Sequence, residues 1–466
     1  MKKITITLAV GAALALGGCF DDGDDGAPGP AGPAGTDGVN GVSAFVTVDD
    51  VVTTNANIAY AMYSDSLFTV IEMKAALEDF VANPTEETFM AAKNAWLAAN
   101  EPYGQTEVYR FRAGPIDALL PNGTIGEDGD GPEGRINAWP LGEALIDYTA
   151  AVVDGDDGPD DPVNAISLNM IANTADFPTI DEAAINSIQE FGEDERNVAI
   201  GYHAIEFLLW GQDLNEDGAG VGPRDTSGGQ RSFSDYFTAA NGNPSACTSG
   251  PDAQTDNICQ RRADYLLTAT DMLIDDLTRV TEAWEPGAGV HYQDFIQGGD
   301  VSLAKILEGM GRLSFGELAG ERMNIALTTD SQEDEHSCFS DNTHRDIFLN
   351  AKGVQVMYDA SYTRIDGEVV EGASIHDLLV VAGEAELANT MRGALEETLA
   401  SASVIDTKAK TGTPFDVLIQ EGIDQPNVLA TIQDLVEQTD VIEQVISALG
   451  VTTSDLRQDT EEDIGG

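Results

Sequence analysis

The stretch "GYHAIEFLLWG", Gly201–Gly211, sets a titratable pair, His203 and Glu206, inside an otherwise apolar segment. Three residues apart on a helix, the two side chains project on one face. Ile200, Ile205, Phe207, Leu208, Leu209 and Trp210 occupy most other directions. The segment therefore reads as a helix buried nearly all round, which belongs in the core of a helical assembly. Its start is expected near Gly192, because Glu193, Asp194 and Glu195 suit a helix N-terminus through the dipole. Gly211 is placed to end it. A buried carboxylate without a partner is expensive, so Glu206 must be protonated, ion-paired or bound to a metal. Imidazole plus carboxylate suits iron or zinc, and helix bundles build such sites from inward-facing side chains. Two ligands are too few for a metal, and a His–Glu hydrogen bond within a core is the alternative.

Helical texture extends in both directions from this segment. Tyr60, Tyr63, Leu67, Val70, Leu77 and Val81 recur at threes, fours and sevens, marking one helical face from about Asn55. Pro84 interrupts, and 85–100 reads as a second helix. A loop-rich region, 101–140, follows, then short helices over 141–152, 163–172 and 180–190. Residues 213–259 are rich in Gly, Asn and Asp and read as connection. Leu266, Thr270, Leu273, Leu277, Val280 and Trp284 form a long amphipathic stripe. Further helices are expected over 303–327, 343–358 and 375–399, and Val428, Ile432, Leu435, Ile442, Val445 and Leu449 mark the last. Alternating β patterns are nearly absent. The fold class is all-α, with two helical-bundle domains, 51–240 and 259–452, joined by a connection at 241–258 and followed by an acidic tail, 453–466.

Charge narrows the function. With 81 acidic against 23 basic residues the chain carries −58. Phosphate binding needs a basic surface, so nucleic acid is excluded as a partner. Docking of the folded body on anionic lipid is disfavoured as well. A strongly solvated surface and attraction of cations are compatible readings of such a charge.

The N-terminus supplies an address. Lys2 and Lys3 precede an apolar run, Ile4–Leu16, and "LGGC" follows. The run is too short to span a membrane. It resembles a bacterial lipoprotein signal, 1–18, which implies cleavage before Cys19 and lipidation of Cys19, with the membrane contacted through that anchor only. Phe20, rather than Asp, after the cysteine leans toward the outer membrane of a Gram-negative cell. From Gly26 to Ser43 glycine recurs at every third position, a collagen-like Gly-X-Y register of six triplets within the spacer 19–50. So short a run reads as a flexible, solvated spacer. An exported compartment permits disulfides, and Cys247 and Cys259, flanking a loop-like stretch, are expected to pair. Cys338 is left over, as a buried thiol or a site residue.

Other segments bear on chemistry. "PYGQTEVYRF" is followed by "GPID" and by "EGRINAWPLGEALIDY"; the C-terminal half carries "GELAGERM" and "QEDEHSCFSDNTHRD". Together with "GYHAIEFLLWGQDLN", these blocks resemble the imelysin-like family, particularly its iron-regulated protein A branch, over about residues 50–450. The family motif Gly-x-His-x-x-Glu falls on Gly201, His203 and Glu206. The resemblance implies two helical-bundle domains with a site in the groove between them. It also implies a periplasmic or surface lipoprotein tied to iron uptake, with metal near the His-x-x-Glu pair. The family carries a peptidase label because one member was described as a protease. A zinc protease needs three protein ligands, an open position and a base. Neither His-Glu-x-x-His nor a Gly-x-Ser-x-Gly elbow occurs in this sequence.

Further ligands are expected from Glu107 and Asp117, which lie in blocks matching the family and offer oxygen donors suited to ferric iron. Helix capping, or ion pairing with Arg110, Arg112 or Arg135, is the competing role for both. Arg135 is also a candidate to hold a carboxylate-bearing chelate such as citrate. His336, Cys338, Asp341 and His344 form a second constellation that either lines the groove or caps a helix starting near Ser340. "DLNEDG", Asp213–Gly218, fits half of an EF-hand loop, but Arg224 stands where the bidentate Glu belongs. Weak calcium binding by Asp213, Asn215 and Asp217 is all that this fragment supports. The expected function is an extracytoplasmic, lipid-anchored protein that binds iron, or alternatively zinc, as the ion or a chelate, and passes it to an iron-uptake partner in the envelope. The alternatives are a metallopeptidase acting on exported peptides and a metal-independent envelope binding protein.

Overall fold

The computed structural model describes residues 46–127, 129–149, 168–192, 194–214, 224–243, 247, 256–332 and 334–458. The signal segment, Cys19, the Gly-X-Y register, Glu193, Asn215, Asp217 and residues 459–466 lie outside the described residues.

Helix α1, Val48–Ala82, starts earlier than its apolar stripe suggests. The reason is a capping box. The Thr47 side chain accepts from the Asp50 N–H, and the Asp50 carboxylate accepts from the Thr47 N–H at 3.0 Å. Helix α2, Glu86–Thr106, is capped the same way by Thr85 and Thr88. It runs through Pro102 and beyond the expected end at residue 100, since Pro102, Tyr103 and Thr106 are buried against the rest of the fold. Helix α3, Gly201–Trp210, is the segment quoted above, and α4 is Asp256–Ala283. Helix α5, Asp300–Arg312, continues without a break into a wider π-helical stretch, Leu313–Ile325. Helix α6, Thr343–Asp359, leads to a small antiparallel hairpin, β1 (Ser361–Thr363) and β2 (Val369–Glu371). The expected helix over 375–399 is two helices, Ile375–Ala382 and α7, Ala385–Lys410. Gly383 (φ 92°) separates them with a left-handed cap. Helix α8 is Pro426–Leu449.

Packing follows the apolar faces. Helix α1 lies against α2 and α4, and α3 wedges between α2 and α4. Helices α6, α7 and α8 pack successively, α8 lies on the π stretch, and α2 meets α6. One apolar core joins α1–α4 to α6 and α7; a second, around Leu318, Met323, Ile405, Phe415, Leu418 and Leu435, fills the space beneath the π stretch.

The start of α3 departs from expectation. Asp194 closes a turn: its carboxylate accepts from the Arg196 N–H at 3.1 Å and pairs with the Arg196 guanidinium at 3.0 Å. Val198 then bridges in parallel to Leu141. Asp194 therefore serves a turn, and the helix begins only at Gly201. Of the short helices expected over 141–190, the described residues form Glu143–Ile146 and Glu182–Asn186.

The connection after α3 is tied down by charge. Arg262 holds Asp147 in a bidentate pair (2.7 and 2.9 Å), and Arg231 adds a third bond at 2.7 Å, all fully buried. Burial pushes the Asp147 carboxyl up, but the two guanidiniums hold it below the usual carboxylate range. A depressed folded-state pKa stabilises above the unfolded value, about 3.9, and that stability is lost as pH falls below it. Asp147→Asn should lower unfolding free energy at pH 7 by about 1.5–3 kcal/mol, the worth of hydrogen bonds to charged groups. The loss should shrink toward pH 3, as denaturant titrations at the two pH values would read. Cys247 and Cys259 are joined in a disulfide, and Cys338 is a buried thiol.

Candidate functional site

Every residue of α3 is buried. Its backbone is held by side chains from neighbouring elements: Trp96 Nε1 donates to the Tyr202 carbonyl at 3.0 Å, and Tyr236 Oη donates to that of Leu208 at 2.7 Å. On this fixed rod His203 Nδ1 lies 2.8 Å from Glu206 Oε2. The other carboxylate oxygen, Oε1, accepts from the Ser340 N–H at 2.9 Å and its hydroxyl at 2.6 Å. As a carboxylate, with Oε1 held by Ser340, Glu206 stands behind the imidazole and accepts from the Nδ1–H tautomer. The lone pair therefore sits on His203 Nε2, which is buried without a hydrogen-bond partner. Burial pushes the Glu206 carboxyl up, against the opposing pull of His203 and Ser340.

A second pair repeats the arrangement. His336 Nδ1 lies 2.9 Å from Asp346 Oδ2, while Asn100 and Ser337 hold the carboxylate from other sides. Burial and the nearby Arg322 charge lower His336 to about 4, so it is a neutral imidazole at pH 7. The His203 and His336 rings meet edge to face, centroids 4.6 Å apart, and Trp139 also packs edge to face on His336 at 4.5 Å. Asn137 Nδ2 stands 3.2 Å from both His336 Nε2 and Glu107 Oε1, so a single carboxamide bridges the two groups.

Behind Asn137 lies a dense ionic network. Arg322 donates to Glu107 Oε2 at 2.8 Å, to Glu317 Oε1 at 2.8 and 3.0 Å, and to Asn350 at 2.9 Å. Arg110 joins Glu107, Glu317 and Glu133 at 3.0 to 3.3 Å. The π-helical turn explains one of these contacts. In an α-helix, residues five apart diverge by about 140°; the wider turn brings Glu317 and Arg322 to the same face. Burial pushes Glu317 up, yet the two arginines hold it at about 2, and they hold Glu107 low as well. Glu133 goes the other way: burial outweighs Arg110 and raises it. Around the two imidazoles, five carboxyl groups (Glu107, Glu133, Glu206, Glu317 and Asp346) face two guanidiniums, Arg110 and Arg322.

The remaining expected residues are dispersed. Asp117 is buried in a tight turn, where its carbonyl accepts from Gly129 and Gly131, and its carboxylate lies 3.5 Å from the Arg112 N–H. Glu107 is paired with Arg110, as the competing role had it. Arg135 turns its guanidinium to Asp276 at 2.9 Å and to Asn186, on the wall of a separate cavity of about 400 Å³. Helix α6 starts at Thr343 with Asn342 as its cap residue, so Ser340 is free to hold Glu206 and is not a helix cap. Asp341 (φ 59°) and His344 do not share a helical face; His344 Nδ1 bonds the Asp341 carbonyl at 2.8 Å. The sequence does not single out Asp346, Asn137, Glu317 or Arg322, and it marks Ser340 only as the start of a helix. Asp346 follows His344 in "NTHRD", but its pairing with His336 crosses from a loop into α6, which no local spacing encodes.

A family model described as Imelysin, of peptidase type, matches residues 59–442, and the chain belongs to the imelysin family. Among solved structures, a protein described as a candidate iron-regulated protein A precursor from Parabacteroides distasonis shares the fold, with a TM-score of 0.57 and 15% identity. The similarity covers 86% of this chain and 94% of that one. Among curated proteins, none matches this sequence. No helix of the described residues is long and apolar enough to cross a membrane.

Proposed function

We propose that this protein is an extracytoplasmic iron-binding member of the imelysin family, anchored through a lipidated Cys19, that captures iron or an iron chelate for an uptake partner in the envelope. The observation that carries the reading is the bare, buried Nε2 of His203, on a ring oriented from behind by Glu206 and set against a second imidazole oriented in the same way by Asp346. Carboxylate-backed imidazoles are the usual support of metal ligands, because the hydrogen bond fixes the tautomer and raises ligand basicity. The surplus of carboxylates over guanidiniums favours a cationic guest. In this reading His203 supplies the first nitrogen; the three donor atoms of His203, His336 and Glu107 do not lie within 4.8 Å of one another, so His336 and Glu107 join as ligands only when Asn137, which now satisfies their lone pairs, moves aside. The name of the structural neighbour and the lipoprotein-like N-terminus agree with iron handling outside the cytoplasm. A hydrolase needs a base facing water, whereas Glu206 is fully buried with both oxygens bonded.

Calorimetric titration with ferric citrate, and separately with zinc, tests the proposal. His203→Ala should abolish binding of the preferred metal, and Glu206→Gln should weaken it by about 10–100-fold, as loss of an orienting partner does. Equal affinity of His203→Ala and the parent would remove this site from metal binding and leave the metal-independent reading, which the engagement of Glu107 by two arginines favours.

A further inference from the structure

The described residues bring one set of three potential metal donors within 4.8 Å of one another, and it is not the His203 site. It consists of Asp213, just after α3, Asp341, in the turn before α6, and Asp416, in the short helix Phe415–Ile419. A fourth acid adjoins them. Glu335 is only 2% exposed, and its principal charged neighbours, other than Arg224, are Asp416, Asp341 and Asp213.

Two features separate this cluster from an ordinary acidic surface. Asp416 is 2% exposed and its Oδ1 has no hydrogen-bond partner, and Glu335 Oε1 is buried and unpartnered in the same way. In addition, among the described residues no cationic side chain forms an ion pair with any of the four carboxyls. Arg224, the nearest cation, spends its guanidinium on the backbone carbonyls of Asp416 and Asp330 and on the Asp330 carboxylate. Asp213 accepts only an amide, from Gln332. Burial and mutual repulsion push Asp213 and Asp341 up to about 9 and 8, as they would where converging acids lack a counter-charge.

We infer that Asp213, Asp341 and Asp416, backed by Glu335, form a binding site for a hard divalent cation, and that the cation is calcium. The donor set is oxygen only, which excludes the softer metals that imidazole and thiolate select. Three or four protein carboxylates in irregular geometry suit calcium, whereas magnesium keeps most of its water and takes one or two carboxylates. Asp213 and Asp341 are half-buried, which leaves the cation a route from solvent. Three distant segments supply the ligands, so calcium would clasp the end of α3 to the turn before α6. That turn also carries Ser340, which holds Glu206. The site differs from the EF-hand-like fragment weighed above, with which it shares only Asp213.

The test is calcium titration of the chelator-treated full-length protein, followed by thermal melts, for the parent, Asp416→Asn and Asp341→Asn. Asparagine removes charge without changing shape and tolerates the left-handed backbone at 341. Both variants should fold in chelator with a Tm no lower than the parent's, because each relieves repulsion. The parent should bind one calcium with a Kd of about 0.1–1 mM, the range of extracellular modules, and its Tm should rise with calcium. Both responses should be lost in the variants. Absence of calcium binding by the parent, or unchanged binding by both variants, would overturn the inference. Ferric iron that binds His203→Ala and the parent equally but not Asp416→Asn would also overturn it, and would move the iron of the proposed function to this cluster.

Discussion

Arg322→Leu should destabilise the protein by about 3–5 kcal/mol, the cost of removing one partner from a buried ion pair, or prevent its accumulation as a folded species. Arg322 is 0% exposed and binds Glu107, Glu317 and Asn350 at once. Leucine fills much of the volume but strands two carboxylates, leaving Arg110 as their shared cation. The carboxylates would then take up protons at higher pH. Glu317, held at about 2 in the parent, contributes stability above its unfolded value, about 4.3, and that contribution disappears as pH falls toward 2. In Arg322→Leu this acid-dependent part should be missing, so the difference in unfolding free energy between variant and parent should narrow below pH 4. Guanidinium titrations at pH 7 and pH 3 measure both quantities. Adding Glu107→Gln and Glu317→Gln should recover a large share of the loss, since neutral amides need no counter-charge; a triple variant no more stable than Arg322→Leu would show that packing, not charge, dominates.

The sequence displays the helices well wherever one face alone is buried. The stripes of α1, α4 and α8 recur with helical spacing and lie where that spacing puts them. It is less clear where a boundary is set by one backbone angle. Gly383 divides a continuous apolar pattern because a left-handed residue, not a polar one, ends the first helix. Glu193, Asp194 and Glu195 look like a helix start, but acids that favour a dipole also close turns, as Asp194 does with Arg196. At the site, His203 and Glu206 are legible because both lie on one helix. Ser340, His336 and Asp346 come from more than a hundred residues away; His336 is visible in its own His/Cys/Asp cluster, but nothing local ties it, Ser340 or Asp346 to the motif. The Glu317–Arg322 contact is hidden for another reason: its spacing is wrong for an α-helix and right only for the π turn.

Gly201→Ala should be as damaging as any single change within the motif, although it removes no ligand. Gly201 has φ 87°, a conformation that side chains with a Cβ rarely adopt, which costs about 1–3 kcal/mol. A Cβ there would also lie 2.4 Å from the Ile136 carbonyl oxygen and 2.9 Å from that of Arg135. Neither obstacle is a flexible side-chain end, so the 135–136 backbone or α3 itself must move, and overpacking of this kind costs about another 1–3 kcal/mol. Movement of the backbone at 136 carries Asn137 with it, and Asn137 bridges Glu107 and His336. The expected result is a lower Tm together with weakened metal binding, in contrast to His203→Ala, which should abolish binding altogether, its own fall in Tm coming from the cavity and the unpartnered Glu206 Oε2. The separation follows from what each residue does: His203 offers a lone pair, while Gly201 permits the close approach of two chain segments that positions Asn137 against His336 and Glu107. A Gly201→Ala variant that melts like the parent would mean that the segment at 135–136 yields easily, and the close contact would then not be what fixes the site.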